Sequence, residues 1–148
     1  MYRLTSAMCG LILGFALVLG SVPRTEAAET KLQGNWTATK AERDGKPAAE
    51  IVGHRLSFTG DRFEIKDKDG KLVYGGTVRV DPKTKPATID FESTEGALKG
   101  MWKGIYTLAG DTLTICDNAP NTEKPRPAAF EAKAGSGYVL VAFRRAKP

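Results

Sequence analysis

A chain of 148 residues with 22 Lys and Arg against 17 Asp and Glu carries a formal net charge of +5 and is long enough for one domain. Its basic and acidic residues are interleaved, and the largest basic cluster is at residues 144–147. Nucleic-acid binding calls for a basic stripe interleaved with stacking aromatics. The composition therefore excludes a nucleic-acid partner and predicts a solvated, mildly basic surface.

The first 27 residues have the pattern of a cleavable secretory signal. Met1-Tyr2-Arg3 is a short positive opening, residues 7–22 form an uncharged apolar run, and Thr25-Glu26-Ala27 offers small residues for cleavage. The run is short for a membrane span, which needs about 20 residues; an uncleaved anchor is the alternative. We predict a signal peptide at 1–27, a mature domain at 28–148 without a stable membrane span, and export to the periplasm, cell surface or extracellular space.

Cysteine usage predicts a fold without disulfides. Cys9 lies in the predicted signal and does not follow the apolar run, as a lipidated cysteine would. Its removal leaves Cys116 alone, and one cysteine forms no internal disulfide. The hydrophobic core must then provide the stability, and a domain of this size can bury enough apolar surface.

The mature chain consists of short alternating apolar and polar segments separated by Gly, Asp and Pro, a pattern typical of antiparallel strands. Residues 47–53 are less regular and fit a short helical turn. Strands are predicted at 35–41, 55–59, 62–66, 72–80, 87–92, 101–108, 112–117, 129–132 and 138–144, with 94–100 as a loop. Such spacing favours a barrel or a sandwich. Because most connections are short, we predict an all-β, antiparallel up-and-down barrel of about eight or nine strands, whose closure removes exposed edges.

Glycine-containing pairs mark the turns and one irregularity of this barrel. Asp44-Gly45 predicts a tight turn, and Ala109-Gly110-Asp111 between two apolar segments predicts a hairpin. Gly75-Gly76 falls within a predicted strand, where glycine otherwise lowers stability, so it predicts a bulge or a sharp bend.

Gly34-Asn35-Trp36 opens the first predicted strand and suggests how one end of the barrel is closed. An early Trp can plug a barrel end beneath a basic side chain of the last strand, and Arg144 or Arg145 would stack on it through the guanidinium. We assign barrel closure to Gly34, Trp36 and Arg144. An ordinary core position for Trp36 is the alternative.

No pattern in the sequence predicts catalysis, a metal site or a cofactor. His54 is the one histidine and lacks neighbouring ligands with metal-site spacing. Cys116 lies on the strand face opposite Leu113 and Ile115, where packing explains it better than a nucleophilic role. Asp67-x-Asp69-Gly70 resembles part of a calcium loop but lacks its further ligands, so a turn is predicted.

Asp90, Glu92 and Glu95 lie on the solvent face of an alternating strand and the loop after it. Paired carboxylates can perform acid–base chemistry, yet a solvent-facing position needs no such explanation. We therefore predict no catalytic residues, and whether the protein is an enzyme stays open, with a non-enzyme favoured.

Seven short motifs follow one another along the predicted mature chain: KLQGNW at 31–36, DGKP at 44–47, DPKTKPATID at 81–90, GIYTL at 104–108, GDTLTIC at 110–116, RP at 126–127 and AGSG at 134–137. In their order and spacing they resemble a family of small, secreted, lipocalin-like proteins of unknown function that is expanded in planctomycete bacteria. The resemblance spans residues 31–147. It implies a lipocalin-like antiparallel barrel and supplies no substrate, cofactor or catalytic residue.

Two functions fit such a barrel. One is a non-enzymatic binding protein for a small, mainly apolar ligand, because an eight-stranded barrel can hold one small ligand; its candidate ligand-binding residues are Phe58, Phe91, Trp102 and Tyr106. The other is an interaction or inhibitor module whose partner is a cell-envelope protein. That module would have a solid core and an exposed apolar patch or flat edge instead of a cavity.

Overall fold

The computed structural model describes residues 28–148, and the predicted signal peptide at 1–27 lies outside the described residues. Residues 28–148 form strands connected by turns and loops, preceded by one 3₁₀ turn, η1 (Thr30–Leu32). The strands are β1 (Gly34–Arg43), β2 (Lys46–Pro47), β3 (Arg55–Thr59), β4 (Arg62–Lys66), β5 (Leu72–Asp81), β6 (Ala87–Gly96), β7 (Gly100–Ala109), β8 (Thr112–Asp117) and β9 (Val139–Arg145).

The strands form one antiparallel sheet that closes into a barrel. From β3 to β9 each strand pairs with its neighbour in sequence, and β1 pairs with both β3 and β9. The barrel thus has eight strands, and the two-residue β2 pairs only with the end of β1. The predicted all-β, up-and-down antiparallel barrel is confirmed.

Alternation along the strands places one large apolar side chain after another in the interior. Successive residues of a strand point to opposite faces, so every second residue faces the axis. Paired strands show this in register: Phe91 lies opposite Trp102, and Leu108 lies opposite Leu113. The fully buried interior side chains include Trp36, Leu56, Phe58, Phe63, Val78, Ile89, Phe91, Trp102 and Leu113.

Three register shifts interrupt this alternation, one of them between Ile65 and Lys66 where β4 pairs with β5. The predicted irregularity at Gly75-Gly76 is confirmed as a shift in the pairing of β5 with β6. A Cβ atom on Gly76 would collide with the backbone carbonyl of Glu92, so only glycine fits there. The third, a bulge between Ala38 and Lys40, turns the last residues of β1 so that Ala41 pairs with Val141.

The strand predictions fail in two places. β6 continues through Gly96 and so includes residues 94–96 of the expected loop 94–100, because this polar segment still pairs with β5 beyond the bulge. The strand expected at 129–132 does not form, because this segment belongs to a long loop and Ala132 is buried without joining the sheet.

One end of the barrel is plugged by Trp36 and η1. The indole Nε1 donates a hydrogen bond to the carbonyl of Leu32 at 2.9 Å. The guanidinium carbon of Arg145 lies 4.2 Å from the centre of the Trp36 ring. Arg145 also donates hydrogen bonds to the carbonyls of Lys31 (2.7 Å) and Gln33 (3.0 Å). We call this the closed end.

The assignment of Arg144 to barrel closure is wrong, and Arg145 has that role. In the antiparallel register Arg145 pairs with Trp36, whereas Arg144 pairs with Thr37 and is exposed on the outer face. Gly34 does lie at the closed end. It has a φ of +110°, and a Cβ there would lie 3.7 Å from the Arg145 guanidinium.

Residues 118–138 form a long loop that we call the cover loop. It packs over the outer face of β7 and β8, where Ile105 and Cys116 pair and are both buried. Asn118 anchors its start: Oδ1 accepts from the Lys103 N–H at 2.8 Å, and Nδ2 donates to the Lys124 carbonyl at 2.6 Å. The loop gives the barrel a second, smaller buried layer outside its wall.

A bidentate ion pair also ties the cover loop to the barrel. The Arg126 guanidinium donates to both carboxylate oxygens of Asp90 on β6 and, at 2.7 Å, to the Gly104 carbonyl on β7. Two parallel hydrogen bonds fix the orientation of a guanidinium against a carboxylate better than one does. Asp90 therefore holds the loop against the wall.

Candidate functional site

The end of the barrel opposite Trp36 is hollow. A cavity of about 220 Å³ lies between the ends of β1, β4 and β8 and the starts of β5 and β9. An engineered cavity of about 150 Å³ binds benzene, so this space suits a somewhat larger molecule. Its apolar lining consists of Ile51, Leu56, Ile65, Val73, Tyr74, Phe91, Trp102, Ile115, Ala119, Pro120, Val139, Val141 and Phe143.

A cluster of aromatic side chains contributes to the cavity wall. Trp102 lies 5.4 Å from Phe91 in a stacked arrangement and 5.5 Å from Tyr74 in an edge-to-face one, measured between ring centres. Phe63 packs edge-on against Phe91 at 4.8 Å and against Trp102 at 5.7 Å. Such aromatic pairs stabilise the cluster by more than the burial of their apolar surface alone. The cluster therefore gives the cavity a rigid aromatic wall.

The segment 48–54, which we call the rim segment, completes the wall above β3. It fills the gap between β1 and the start of β3: the Gly53 N–H donates to the Ala38 carbonyl, and the Ala38 N–H donates to the His54 carbonyl, both at 2.8 Å. Ile51 and His54 of this segment line the cavity. The predicted irregular stretch is therefore part of the site.

An ion pair lies at the cavity mouth. The Arg43 Nη1 donates to Glu50 Oε1 at 3.0 Å, joining β1 to the rim segment. Both side chains are largely exposed, at 43% and 62%. Exposed pairs of this kind add at most about 1 kcal/mol to stability, so the pair positions the rim segment without locking it.

The alternation of β8 directs the acidic side chain of Asp117 into the interior beside the aromatic cluster. It ends β8, two residues after Ile115 on the same face, and lines the cavity. Its Oδ1 accepts a hydrogen bond from the Ala119 N–H at 3.0 Å. Burial raises the pKa of Asp117 to about 7, although the Ala119 hydrogen bond and the Arg43 charge act in the opposite direction.

Gly104 makes room for Asp117 on the neighbouring strand. The two residues are paired across β7 and β8. A Cβ on Gly104 would lie 2.9 Å from the Asp117 Cβ and 2.8 Å from the Cys116 carbonyl oxygen, closer than real Cβ atoms approach. The glycine in the GIYTL motif thus permits the carboxylate to lie against β7.

The four predicted ligand-binding residues separate into two groups. Phe91 and Trp102 line the cavity. Phe58 is in the core behind it, with its ring centre 6.5 Å from that of Phe91. Tyr106 is near the closed end, where its hydroxyl donates to Glu29 Oε2 at 2.9 Å, and burial raises its pKa above the ordinary value.

The remaining reactive side chains are on different surfaces. His54 lines the cavity, whereas Cys116 faces outwards beneath the cover loop, as its position opposite Leu113 and Ile115 predicts. Burial raises the pKa of the Cys116 thiol to about 11. Glu95 pairs with Arg62 at 3.2 Å on the exterior. These groups do not converge on one point.

The Asp67 carboxylate belongs to a turn, as predicted. Its Oδ1 accepts from the N–H groups of Asp69 and Lys71, both at 2.9 Å. Within residues 28–148, no group of three or more His, Cys, Asp or Glu side chains is arranged to hold a metal ion. Over the same residues, no helix is long and apolar enough to cross a membrane.

Sequence reasoning missed Asp117, Tyr74 and Arg43 as site residues. The sequence does indicate Asp117, because this residue lies on the same face of its strand as Leu113 and Ile115, and the alternation of that strand is predicted correctly. The position of Arg43 depends on the β1 bulge, for which the sequence carries no glycine marker.

Comparison with family models, curated proteins and solved structures found no match to this chain.

Proposed function

We propose that this protein is an exported, non-enzymatic binding protein that holds one small, mainly apolar ligand inside the barrel. The observation that carries the proposal is the cavity of about 220 Å³, walled by aromatic and aliphatic side chains and open between the rim segment and the cover loop. Ligand sites are typically concave and mostly apolar, with a few polar groups that set orientation. Asp117, His54 and Arg43 are those polar groups here.

The resemblance to the lipocalin-like secreted family supports the same proposal. It implies a barrel of this type, and export follows from the predicted signal at 1–27. Expression of the full chain in a host that processes secretory signals, followed by mass measurement of the product, tests the export step. A mature chain beginning at Ala28 or Glu29 is expected, and retention of the first 27 residues would contradict it.

The alternative is an envelope interaction or inhibitor module with a solid core. It predicts an exposed apolar patch. Among the described residues, the large apolar side chains with substantial exposure are Val52 and Met101, which belong to the rim segment and to β7. Isolated exposed side chains of this kind are ordinary. The hollow end of the barrel therefore favours ligand binding over the interaction module.

Binding of a neutral probe tests the cavity directly. We expect propylbenzene to bind the mature domain in calorimetric titrations and to shift the NMR signals of β8 and β9. Val141→Phe places a ring in the cavity and should abolish binding, because Val141 lines it on β9. Thr107→Phe, on the exposed outer face of β7, is the matched control and should leave binding unchanged.

Native mass spectrometry of protein purified from its source gives an independent test. A retained small molecule that is lost in the Val141→Phe variant is the expected result. Protein without any retained molecule, together with no detectable propylbenzene binding, would overturn the proposed function.

A further inference from the structure

Asp117 has one carboxylate oxygen without a partner. Within residues 28–148, the Ala119 N–H contacts Oδ1, and no other hydrogen bond or ion pair reaches this carboxylate. No buried side-chain oxygen or nitrogen in that range lacks a partner, so Oδ2 keeps accessible surface. Asp117 also lines the cavity, so a ligand there would lie beside this residue.

The other ionisable groups of the cavity compensate Asp117 only in part. Arg43 is engaged with Glu50 at the mouth, and its charge lowers the pKa of Asp117 less than burial raises it. His54 and Tyr74 complete the ionisable lining. With Asp117 ionised, the lining therefore has two carboxylates, Glu50 and Asp117, against the one guanidinium of Arg43.

Aromatic faces surround the same space. Tyr74, Phe91 and Trp102 all line the cavity, and Tyr74 and Phe91 each contact Trp102. Aromatic rings attract a cation within about 6 Å of the ring centre, and the attraction strengthens when the cation is desolvated. A cation in this cavity would thus meet both a carboxylate and aromatic rings.

We infer that the ligand is a small amphiphilic amine or ammonium compound, whose cationic nitrogen pairs with Asp117 and whose apolar part lies against Trp102 and Phe91. This inference depends on the proposed function, because it names the chemical class that the cavity takes. A buried charge without a partner is costly, and an opposite charge within hydrogen-bond distance offsets that cost. The bound cation completes the hydrogen bonding of Oδ2.

An anionic ligand fits the same cavity less well. Its carboxylate would have to displace Glu50 from Arg43, and it would share a low-dielectric space with ionised Asp117, where like charges repel strongly. A neutral hydrocarbon would fill the apolar space but leave Oδ2 without a partner. The charge pattern therefore favours a cation over both.

Three probes of nearly equal shape test this inference. Phenethylammonium, propylbenzene and 3-phenylpropanoate share a phenyl ring and differ in the charge of the terminal group. Calorimetric titration of the mature domain at pH 8 should show phenethylammonium binding at least tenfold more tightly than propylbenzene, and 3-phenylpropanoate binding most weakly.

The matched variant is Asp117→Asn, whose side-chain oxygen can still accept from the Ala119 N–H. It should lose the tenfold preference for phenethylammonium and keep propylbenzene binding, which also shows that the variant is folded. Raising the pH from 6 to 8 should strengthen phenethylammonium binding to the unmodified domain as Asp117 ionises, with no such change in Asp117→Asn.

Each remaining outcome has a distinct meaning. Equal or tighter binding of propylbenzene or 3-phenylpropanoate overturns the cationic ligand while leaving a ligand-binding cavity in place. A phenethylammonium preference that survives in Asp117→Asn also overturns it. If none of the three probes binds, the proposed function fails and this inference fails with it.

Discussion

The closed end and the open end of the barrel are built from the same alternating strands but are packed differently. At the closed end, Trp36 and Leu32 are fully buried, and Arg145 stacks on Trp36. At the open end the corresponding positions on β1 and β9 hold Ala41 and Val141, which are smaller. The cavity lies beside these two residues, so side-chain size at a few register positions determines which end is solid.

The closed end mainly stabilises the fold, whereas the open end contains the proposed ligand site. The plug at the closed end contains directional contacts between elements distant in sequence, and it stabilises barrel closure. The open end contains the cavity, an exposed ion pair and a carboxylate without a full set of partners. Changes at the closed end should therefore affect unfolding more, and changes at the open end should affect ligands more.

Removal of the plug has the largest expected effect. Trp36→Ala deletes a fully buried ring and its hydrogen bond to Leu32, and large-to-small changes of this kind cost about 3–5 kcal/mol. Urea unfolding followed by circular dichroism measures the loss. Trp36→Phe, which keeps most of the volume, should lose clearly less. Equal losses for the two variants would mean that the volume of side chain 36 contributes little to the free energy of unfolding.

Arg145 and Arg144 form the next comparison. Arg145→Ala removes two charge-assisted hydrogen bonds to backbone carbonyls, each typically worth about 1.5–3 kcal/mol, and the stacking on Trp36. Because the Arg145 side chain is 33% exposed, water replaces part of these contacts, and we expect a loss of about 2 kcal/mol in the free energy of unfolding. Arg144→Ala, on the outer face, should change it by less than about 0.5 kcal/mol. The reverse order would restore Arg144 as the closure residue.

Enlarging one side chain at each end compares the two directly. Leu113→Phe adds volume where the core is full, and overpacking costs about 1–3 kcal/mol. Val141→Phe adds volume beside the cavity and should cost less than about 1 kcal/mol while abolishing propylbenzene binding. Thermal unfolding of both variants measures the difference. Equal destabilisation would show that the open end is as tightly packed as the closed one.

The pH dependence of stability reports on Asp117 at the open end. Asp117 has a pKa of about 7 in the folded chain against an ordinary value near 4, so the folded state binds the extra proton between these values. Stability should therefore fall as the pH rises from about 4 to about 7, by at most about 1.4 kcal/mol per pH unit from this group.

Asp117→Asn isolates that contribution. The variant should equal the unmodified domain in stability near pH 4 and exceed it at pH 8, because the neutral amide carries no buried charge. Urea midpoints at a series of pH values measure both curves. Parallel curves for the two proteins would show that Asp117 is ionised without cost in the folded state.

The sequence predicted the strands well because their alternation is local. β3, β4 and β8 begin and end where the pattern of apolar and polar residues predicts. The strand predicted at 129–132 failed because burial of Ala132 by a loop resembles burial by a sheet when read from sequence. The β6 extension was missed because Ser93 and Glu95 lack the apolar side chains on which the pattern depends.

The cavity could be predicted only in part. The sequence indicates which residues face the interior, but how deeply each one lies depends on bulges and on the lengths of opposing strands. Phe58 and Phe91 both face inwards, yet only Phe91 reaches the cavity. The choice between Arg144 and Arg145 likewise depended on register, which a bulge in β1 shifts relative to β9.

The cover loop gives the molecule an internal reporter of events at the cavity. One part of the loop, Ala119 and Pro120, lines the cavity, and another part buries the thiol of Cys116 on the other side of the wall. A molecule that orders the mouth would restrain the same loop and so slow the reaction of that thiol with an added reagent. The rate at which Cys116, the single cysteine within residues 28–148, is labelled would therefore report occupancy of the cavity without any label on the ligand.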